Sequence, residues 1–418
     1  MRLSNNIFFN KEIYKKGKST INKKHRLPLI CFFVLFMQAF PSFASEWSGS
    51  LFSEIRAFKH QSSNDSQHQY YASIGVQPKY QQTWHNGRQI FDFELFTRLN
   101  DHDEHRNTLD IRELSWSTAQ QDWEFRLGIS QVFWGVTESQ HLVDIVNQTD
   151  TAERFDGEEK LGQPMINFSW IKNWGTLDFF ILPYFRERIF PGKNARLALP
   201  LPIANDLSEY DSEREERHID MAIRWSHYIG DWDIGLSHFY GNNREPRLRP
   251  QTIAGQVKFV PFYDLIHQTG LDLQATLGNW LWKLEGIYRS GMDDGYFATT
   301  AGLEYSFFDI AASGLDIGIV TEFLYDDRGH KASTAFENDT MLGIRLALND
   351  EQSSEALLGA IIDNEGNGTV LSVEANRRIG DDWKMSLNAY LYTNTDNKDL
   401  IHTYASEDFV QLELGYYF

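Results

Sequence analysis

Apolar and polar residues alternate along much of this chain. In the segment 219–226 the odd positions carry Ile, Met, Ile and Trp, whereas the even positions carry small or charged residues. Successive side chains of a β-strand point to opposite faces, so this pattern predicts strands with one apolar and one polar face. Similar alternation runs through the segments 123–129, 232–237, 271–277 and 315–319.

The last segment of the chain has the same pattern and ends on an aromatic residue. Val410, Leu412, Leu414, Tyr416 and Phe418 share one face of the predicted strand. A soluble domain seldom needs a strand-facing aromatic as its final residue. An apolar face that ends in an aromatic residue is typical of the closing strand of a membrane-spanning barrel.

The polar faces carry charges that a dry core would not tolerate. Asp220, Arg224 and Asp272 all stand at the even positions of alternating segments, and burying such groups without water would be costly. We therefore predict an all-β fold, a closed antiparallel transmembrane β-barrel with its apolar face toward lipid and its polar face toward a hydrated lumen. About 18 strand-like segments can be counted, an even number as such barrels require, and 16 strands are the alternative.

The connections between the predicted strands alternate between short and long. Since bacterial barrels have short periplasmic turns and long outer loops, this order supports the barrel and orients it. The short connections lie near 86–87, 119–122, 173–175, 230–231, 278–279, 309–314, 350–354 and 380–382. The longer ones are 59–68, 99–107, 133–162, 186–214, 242–265, 326–337 and 393–407. Two further outer connections, near 291–295 and 364–367, are brief but do not change which end of the barrel each connection occupies.

Five of the twelve tryptophans lie in or directly after a short turn. Tryptophan favours membrane interfaces because its ring is apolar and its N–H can reach water. We predict a girdle at the periplasmic boundary that also includes the C-terminal aromatic. Its members are Trp123, Trp174, Trp232, Trp280, Trp383 and Phe418.

The first 44 residues have the order of a secretory signal peptide. A basic stretch precedes the apolar run Leu27 to Phe40, and Ser42-Phe43-Ala44 is a small-residue cleavage site. The alternative, a membrane anchor, is disfavoured because the run has about 14 residues where a helical span needs roughly 20. We therefore expect a signal peptide at 1–44 and a barrel at 45–418. Cys31, the only cysteine, lies in the signal.

Charge and motifs limit the chemistry. The whole chain has a net charge of −19, and loss of the basic signal would make it more acidic, which disfavours binding to nucleic acid. The sequence has no Gly-rich phosphate loop, HExxH or GxSxG motif, so we expect no cofactor, no metal and no enzyme activity. The expected partners are outer-membrane lipid and lipopolysaccharide, small solutes, and the barrel-assembly machinery through the C-terminal strand.

The long connection 133–162 differs from a freely solvated loop because apolar residues cluster between His141 and Asn147. We predict that it folds inward and narrows the pore, with its acids facing basic residues of the wall. The alternative is an outer loop packed on the rim. The predicted constriction consists of Glu138, Asp144, Asp150 and Glu153 in the loop and Arg98, Arg126 and Arg224 in the wall.

The stretch from Arg126 to Gly135, followed by Asn147 and Asp150, resembles a segment of porin-like outer-membrane proteins of Gram-negative bacteria, a family whose substrates are largely unassigned. The resemblance covers about residues 120–165 and the terminal strand. It implies a channel-type barrel in the outer membrane without naming a solute.

We therefore expect passive diffusion of small hydrophilic solutes through this barrel. Two alternatives stay open at this point. One is an outer-membrane hydrolase of lipid or peptide with its active site at the rim. The other is an export or structural barrel that needs a periplasmic partner.

Overall fold

A computed structural model describes residues 44–62, 64–292, 294–366, 368–395 and 400–418. The expected signal peptide lies outside the described residues, except for Ala44, which is the first residue of the first strand. The described residues from Ala44 to Phe418 form one compact unit.

The described chain contains 21 strands, which are numbered here in chain order. They are β1 (Ala44–Phe58), β2 (Tyr70–Trp84), β3 (Gln89–Asn100), β4 (Thr108–Ala119), β5 (Trp123–Ser130), β6 (Gln163–Lys172), β7 (Gly175–Leu182), β8 (Glu209–Tyr210), β9 (Asp220–Ile229), β10 (Trp232–Asn242), β11 (Arg247–Ile253), β12 (Gln256–Tyr263), β13 (Leu265–Leu277), β14 (Trp280–Ser290), β15 (Tyr296–Phe307), β16 (Asp316–Asp326), β17 (Asn338–Ala347), β18 (Glu355–Asp363), β19 (Thr369–Ile379), β20 (Trp383–Thr393) and β21 (Phe409–Tyr417).

The helical segments are short 3₁₀ turns in the connections. None of those in the described residues is long and apolar enough to cross a membrane. They are Glu104–Arg106, Asn205–Leu207, Glu215–Arg217, Ile310–Ala312, Gly329–Lys331 and Leu400–Tyr404.

Eighteen of the strands form one antiparallel sheet that closes on itself. The first and last strands, β1 and β21, pair with each other, with Ser50 opposite Tyr417 and Phe58 opposite Phe409. Beyond the last paired position, the N–H of Gly49 donates to the carbonyl of Phe418 at 2.9 Å and the N–H of Phe418 donates to the carbonyl of Gly49 at 3.1 Å. The predicted 18-stranded antiparallel barrel is confirmed, and the alternative of 16 strands is wrong.

Side chains alternate between the two faces of this closed sheet. In β1, Leu51 and Ile55 are more than half exposed, whereas Glu54 and Arg56 between and beside them are buried. In β16, Phe323 is exposed while the neighbouring Glu322 is 1% exposed. An outer face of aliphatic and aromatic side chains with charges inside is the arrangement of a barrel that meets lipid.

Apart from the brief outer connections 291–295 and 364–368, the connections alternate between short and long as predicted. The short turns, such as 85–88, 120–122 and 230–231, all lie at one end of the barrel. The long connections lie at the other end, and two of them contain the small sheet of β8, β11 and β12. Since the sheet has an even number of strands, Ala44 and Phe418 both lie at the short-turn end.

An arginine on the outer face should therefore be costly. Leu342 lies in the middle of β17 and is 50% exposed on the outer face. We expect Leu342→Arg to lower the free energy of unfolding by about 2–4 kcal/mol, the range for a basic residue at the bilayer midplane. Urea titration of the protein folded in lipid vesicles measures this.

Ser386→Arg is the matched control, because Ser386 lies inward in β20 opposite Glu413. We expect it to change the unfolding free energy by less than about 1 kcal/mol, as for other solvated substitutions. Equal losses for the two variants would contradict the assignment of the faces.

Candidate functional site

The interior of the barrel differs between its two ends. Along the inner face of β2, Tyr71 and Ser73 near the long loops are buried, whereas Lys79 and Gln81 near the short turns are exposed. The inner face of β19 repeats this gradient, from the buried Val370 to the exposed Arg378. Protein therefore fills the long-loop half, while the wall of the short-turn half is accessible to water.

The connection between β5 and β6, residues 131–162, supplies much of that filling and is named here the inner loop. It contacts inward-facing side chains of strands that are far apart around the barrel, among them Glu285 in β14, Glu322 in β16 and Arg98 in β3. A segment that contacts the inner face on so many sides lies in the lumen, enclosed by the barrel wall.

The first anchor of the inner loop is the carboxylate of Glu285, which is fully buried. Its Oε1 accepts hydrogen bonds from the backbone N–H groups of Val136 at 2.7 Å and Thr137 at 3.0 Å. Its Oε2 accepts from the N–H of Val143 at 3.1 Å. Three backbone donors and the Thr137 hydroxyl at 2.8 Å thus replace the water that this carboxylate loses.

The second anchor is the carboxylate of Glu322, two strands away from Glu285. It accepts hydrogen bonds from the N–H groups of Glu138 and Ser139, both at 2.8 Å, and from the Ser139 hydroxyl at 2.5 Å. Successive backbone N–H groups form a concave anion site of the kind called a nest. Here the wall provides the anion and the loop provides the nest.

Apolar packing adds a third anchor. Trp134, Val143, Ile145 and Val146 of the inner loop are buried in a cluster with apolar side chains of the inner wall. The ring centroids of Trp134 and Phe180 are 5.7 Å apart. The apolar residues that distinguished this loop in the sequence therefore pack against the wall.

The two ends of the inner loop are tied together by Asn147, which is 1% exposed. Its amide oxygen accepts from the N–H of Val132 at 2.9 Å. Its amide nitrogen donates to the carbonyls of Ser130 at 2.9 Å and Leu161 at 2.8 Å. Asn147 thus fixes the base of the loop, which is a structural role.

A cluster of buried charges joins the inner loop to β1 and β3. Arg98 contacts Glu54 at 2.7 Å and Glu153 of the loop at 2.5 Å. Arg106 contacts Glu54 at 2.7 Å. Of the predicted pairs between loop acids and the three wall arginines, the structure brings together Arg98 and Glu153.

The other two predicted arginines do not meet the loop acids. Arg224 forms two hydrogen bonds with Asp272 of β13, at 2.7 and 2.9 Å, and Arg126 donates to Ser130 at 3.2 Å. Arg224 can reach Asp272 because Gly235 lies between them, where a Cβ would overlap both side chains. The missing side chain lets the arginine reach across β10 to a wall acid.

The remaining predicted acids find other partners. Glu138 contacts Arg345 at 2.7 Å and Lys283 at 3.4 Å, so it does face basic wall residues. Asp144 contacts Lys160 within the inner loop at 3.3 Å.

Asp150 accepts from the N–H of Glu153 at 3.1 Å and lies 3.6 Å from Arg112. Arg112, which is 2% exposed, also lies 3.3 Å from Glu159. Asp150 therefore supports a turn of the inner loop from within.

Sequence reasoning missed Glu54, Arg106, Arg112, Glu285 and Glu322. The alternation assigns Glu285 and Glu322 to the inner face, together with many other charged residues. Nothing in the sequence separates a wall acid that holds backbone N–H groups from one that faces water, because the difference depends on where the inner loop lies.

Burial changes the protonation of the inner loop. It raises the pKa of Asp150 to about 6 and the pKa of Glu159 to about 7. Burial alone would lower the pKa of His141, but its contacts with Glu158 at 3.2 Å and Glu285 at 3.8 Å raise that pKa to about 10. His141 is therefore a cation at neutral pH.

The predicted girdle residues lie at the short-turn end of the barrel. Trp123, Trp232, Trp280 and Trp383 are each the first residue of a strand, and Trp174 lies in the turn between β6 and β7. Four of the tryptophans are between 41% and 46% exposed, Trp123 is less exposed, and Phe418 is 55% exposed. Their contact with a membrane boundary stays a prediction.

The same end also carries aromatic residues that were not predicted, including Trp47, Trp170 and Trp282, which are 41–42% exposed. Among the described residues, no group of three or more His, Cys, Asp or Glu side chains is arranged to hold a metal ion.

Replacing the first anchor should loosen the inner loop. We expect Glu285→Gln to weaken its docking by about 1–3 kcal/mol, because an amide offers one acceptor oxygen to three buried backbone donors. Hydrogen exchange of the amides in 136–143 should become faster. Asp178→Asn is the control, since Asp178 is an inward acid that bonds to Ser169 at 2.5 Å. Unchanged exchange in Glu285→Gln would contradict the anchoring role.

The inner loop should also be held more firmly at low pH. Asp150 and Glu159 bind protons more readily in the docked loop than in water, so docking gains stability as the pH falls through about 7 and 6. His141 acts in the same direction. The stability that its positive charge adds to the docked loop is fully present below its ordinary pKa near 6.5 and is lost as the pH rises through its raised pKa of about 10.

Hydrogen exchange of 136–150, corrected for intrinsic rates, should therefore show more protection at pH 5 than at pH 8. The double variant Asp150→Asn, Glu159→Gln should flatten the part of the profile below pH 7. Greater protection at pH 8 than at pH 5 would contradict the assignment of the three groups.

No protein-family model and no curated protein matches the sequence. Solved structures match over 90% of this chain and the whole of theirs. They include a triple mutant of Rhodopseudomonas blastica porin (10% identity, TM-score 0.42), another mutant of that porin (10%, 0.43) and a structure titled for the asymmetric conductivity of engineered proteins (11%, 0.42). The closed 18-stranded antiparallel sheet and its apolar outer face make the chain a porin-like β-barrel of the membrane-spanning type.

Proposed function

We propose that this protein is a channel for the passive diffusion of small hydrophilic solutes across the outer membrane of a Gram-negative bacterium. The observation that carries the proposal is the inner wall of the short-turn half, where charged side chains such as Lys79 and Arg378 are exposed to water inside an apolar cylinder. A wall of this kind favours hydrated polar solutes, which a lipid bilayer excludes.

The size of the barrel agrees with this proposal. Eight strands enclose only enough space for their own side chains, whereas barrels of 16 to 18 strands leave an aqueous channel. In this proposal the 18-stranded barrel holds the inner loop and leaves a narrow path beside it for solutes.

In this proposal the inner loop forms the constriction. The partly accessible Glu138, Arg126 and Arg224 set the charge along the narrowed part. The buried Arg98, Asp144, Asp150 and Glu153 hold the inner loop in place. The anchors Glu285 and Glu322 hold the loop across the lumen, and their buried hydrogen bonds make it rigid.

The rest of the chain serves delivery to the membrane in the same proposal. Residues 1–44 direct export, and the closing strand with Phe418 is recognised by the barrel-assembly machinery. The tryptophans after the short turns lie at the periplasmic interface, and the long loops meet lipopolysaccharide.

Single-channel recording in planar bilayers tests the proposal. We expect the purified protein to give stepwise conductance, and a variant lacking Thr137 to Ile145 to conduct at least about twofold more, because the narrowest section of a pore dominates its resistance. A salt gradient across the bilayer would give the ion preference from the reversal potential.

If the protein gives no conductance steps and hydrolyses lipid or peptide, the channel proposal is wrong and the protein is an enzyme. Equal conductance in the full chain and the deletion variant would remove the inner loop from the constriction while leaving the channel itself in place.

A further inference from the structure

Three polar side chains form a row across the inner face at the closure of the barrel. Asn388 of β20 lies opposite Gln411 of β21, and Gln411 lies opposite Arg56 of β1. All three occupy inward positions, as the exposed Leu391, Val410 and Leu412 of the outer face indicate by alternation. The row therefore faces the lumen.

An aromatic row runs parallel to it, two residues closer to the long loops. Tyr390, Phe409 and Phe58 follow one another with ring centroids 5.3 and 5.5 Å apart. Phe155 of the inner loop packs edge-on against this row, 4.8 Å from Tyr390 and 5.8 Å from Phe409. A polar track and an apolar track thus lie side by side on one part of the wall.

The guanidinium of Arg56 is only partly hydrogen-bonded. Arg56 is 8% exposed, and its Nε donates to Gln411 at 2.9 Å. Among the described residues, neither of its Nη atoms has a hydrogen bond or an acidic oxygen within 4.0 Å, whereas Arg98 and Arg106 nearby both contact Glu54. The negative charges of Glu54 and Glu153 act on Arg56 from farther away, but the positive charges of Arg98 and Arg106 act on it as well and oppose them. The Nη atoms of Arg56 therefore remain available to hydrogen-bond an added anion.

Arg56 lines two crevices, one on each side of Phe155. The first is bordered by Arg106 and Arg196 but also by Asp103. The second is bordered by Asn388 and Gln411. Since the amide oxygen of Gln411 already accepts from Arg56, its NH₂ group is left to donate into the second crevice.

The acid that borders the second crevice is already neutralised. Asp156 accepts hydrogen bonds from Arg154, with Nε at 3.1 Å and Nη2 at 2.5 Å. Arg154 also borders this crevice but is paired with Asp156. The donors left without an acidic partner are the guanidinium of Arg56 and the amides of Asn388 and Gln411. Glu374 and Glu413 lie on the same inner face, with Glu374 opposite Asn388, so they disfavour a second negative charge on the ligand.

We propose that the second crevice is a subsite for the carboxylate of a permeating monocarboxylic solute. Arg56, Asn388 and Gln411 bind the carboxylate, and the apolar part of the solute lies against the aromatic row in the place that Phe155 now occupies. This inference rests on the proposed channel function and adds to it the chemical class of the solute.

Calorimetric titration of the purified full chain in detergent tests the subsite without any flux. Sodium benzoate and sodium acetate are titrated at constant ionic strength into the wild-type protein, Arg56→Gln and the control Arg378→Gln. Arg378 is also an inward arginine, but it is exposed near the short turns. We expect Arg56→Gln to weaken benzoate binding at least tenfold, and Arg378→Gln to change it less than twofold.

We expect benzoate to bind more tightly than acetate, because its ring lies against the aromatic row. Equal affinities would contradict the role of the aromatic row. Absence of saturable binding to the wild-type protein, or equal losses in the two arginine variants, would overturn the proposal.

If Arg56→Gln does not fold, Asn388→Leu tests the same crevice and should also weaken benzoate binding, and unchanged binding there would overturn the proposal. The outcome is separable from the proposed function. A protein that binds benzoate but gives no conductance steps contradicts the channel alone, and one that conducts without binding contradicts the subsite alone.

Discussion

The closure of the sheet is the constraint on which the rest of the structure depends. A backbone N–H or carbonyl that meets lipid must find its partner within the protein, and an open sheet leaves such groups unpaired along both edges. The pairing of β1 with β21 removes those edges. It also brings together residues that are far apart in the sequence, so the row formed by Asn388, Gln411 and Arg56 exists only because the barrel closes there.

Closure also decides what the interior must accommodate. With the apolar faces turned outward, the polar faces of all 18 strands converge on one lumen. Where the inner loop excludes water, the inward carboxylates need other donors. Glu285 and Glu322 obtain them from loop backbone N–H groups, and Glu54 obtains them from Arg98 and Arg106. The loop thus compensates for the water that it displaces, which explains how acidic wall residues can be fully buried.

Much of the fold could be predicted from local sequence, because a strand with one apolar and one polar face shows both faces as an alternation of apolar and polar residues. The strand at 219–226 and the direction of its two faces could be predicted without knowledge of its neighbours. The same holds for the turns at 230–231 and 278–279. The partners inside the barrel could not be predicted in this way. That Arg224 would reach Asp272 depends on Gly235 between them, and that Glu285 would hold the inner loop depends on where 136–143 lies. Both depend on long-range geometry.

The residues that carried the resemblance to porin-like proteins turn out to fold the inner loop. Asn147 joins its two ends, Asp150 supports its turn, and Gly135 leaves space where a Cβ would crowd His141. In the proposed channel this segment builds the constriction, and such a segment is useful to any channel of this shape, whatever passes through it. In the proposed channel, discrimination between solutes then comes from positions outside that segment, such as the wall residue Arg56, whose Nε donates to Gln411 and whose Nη atoms are open to a ligand. This separation explains why a sequence can indicate a channel while leaving its solute unnamed.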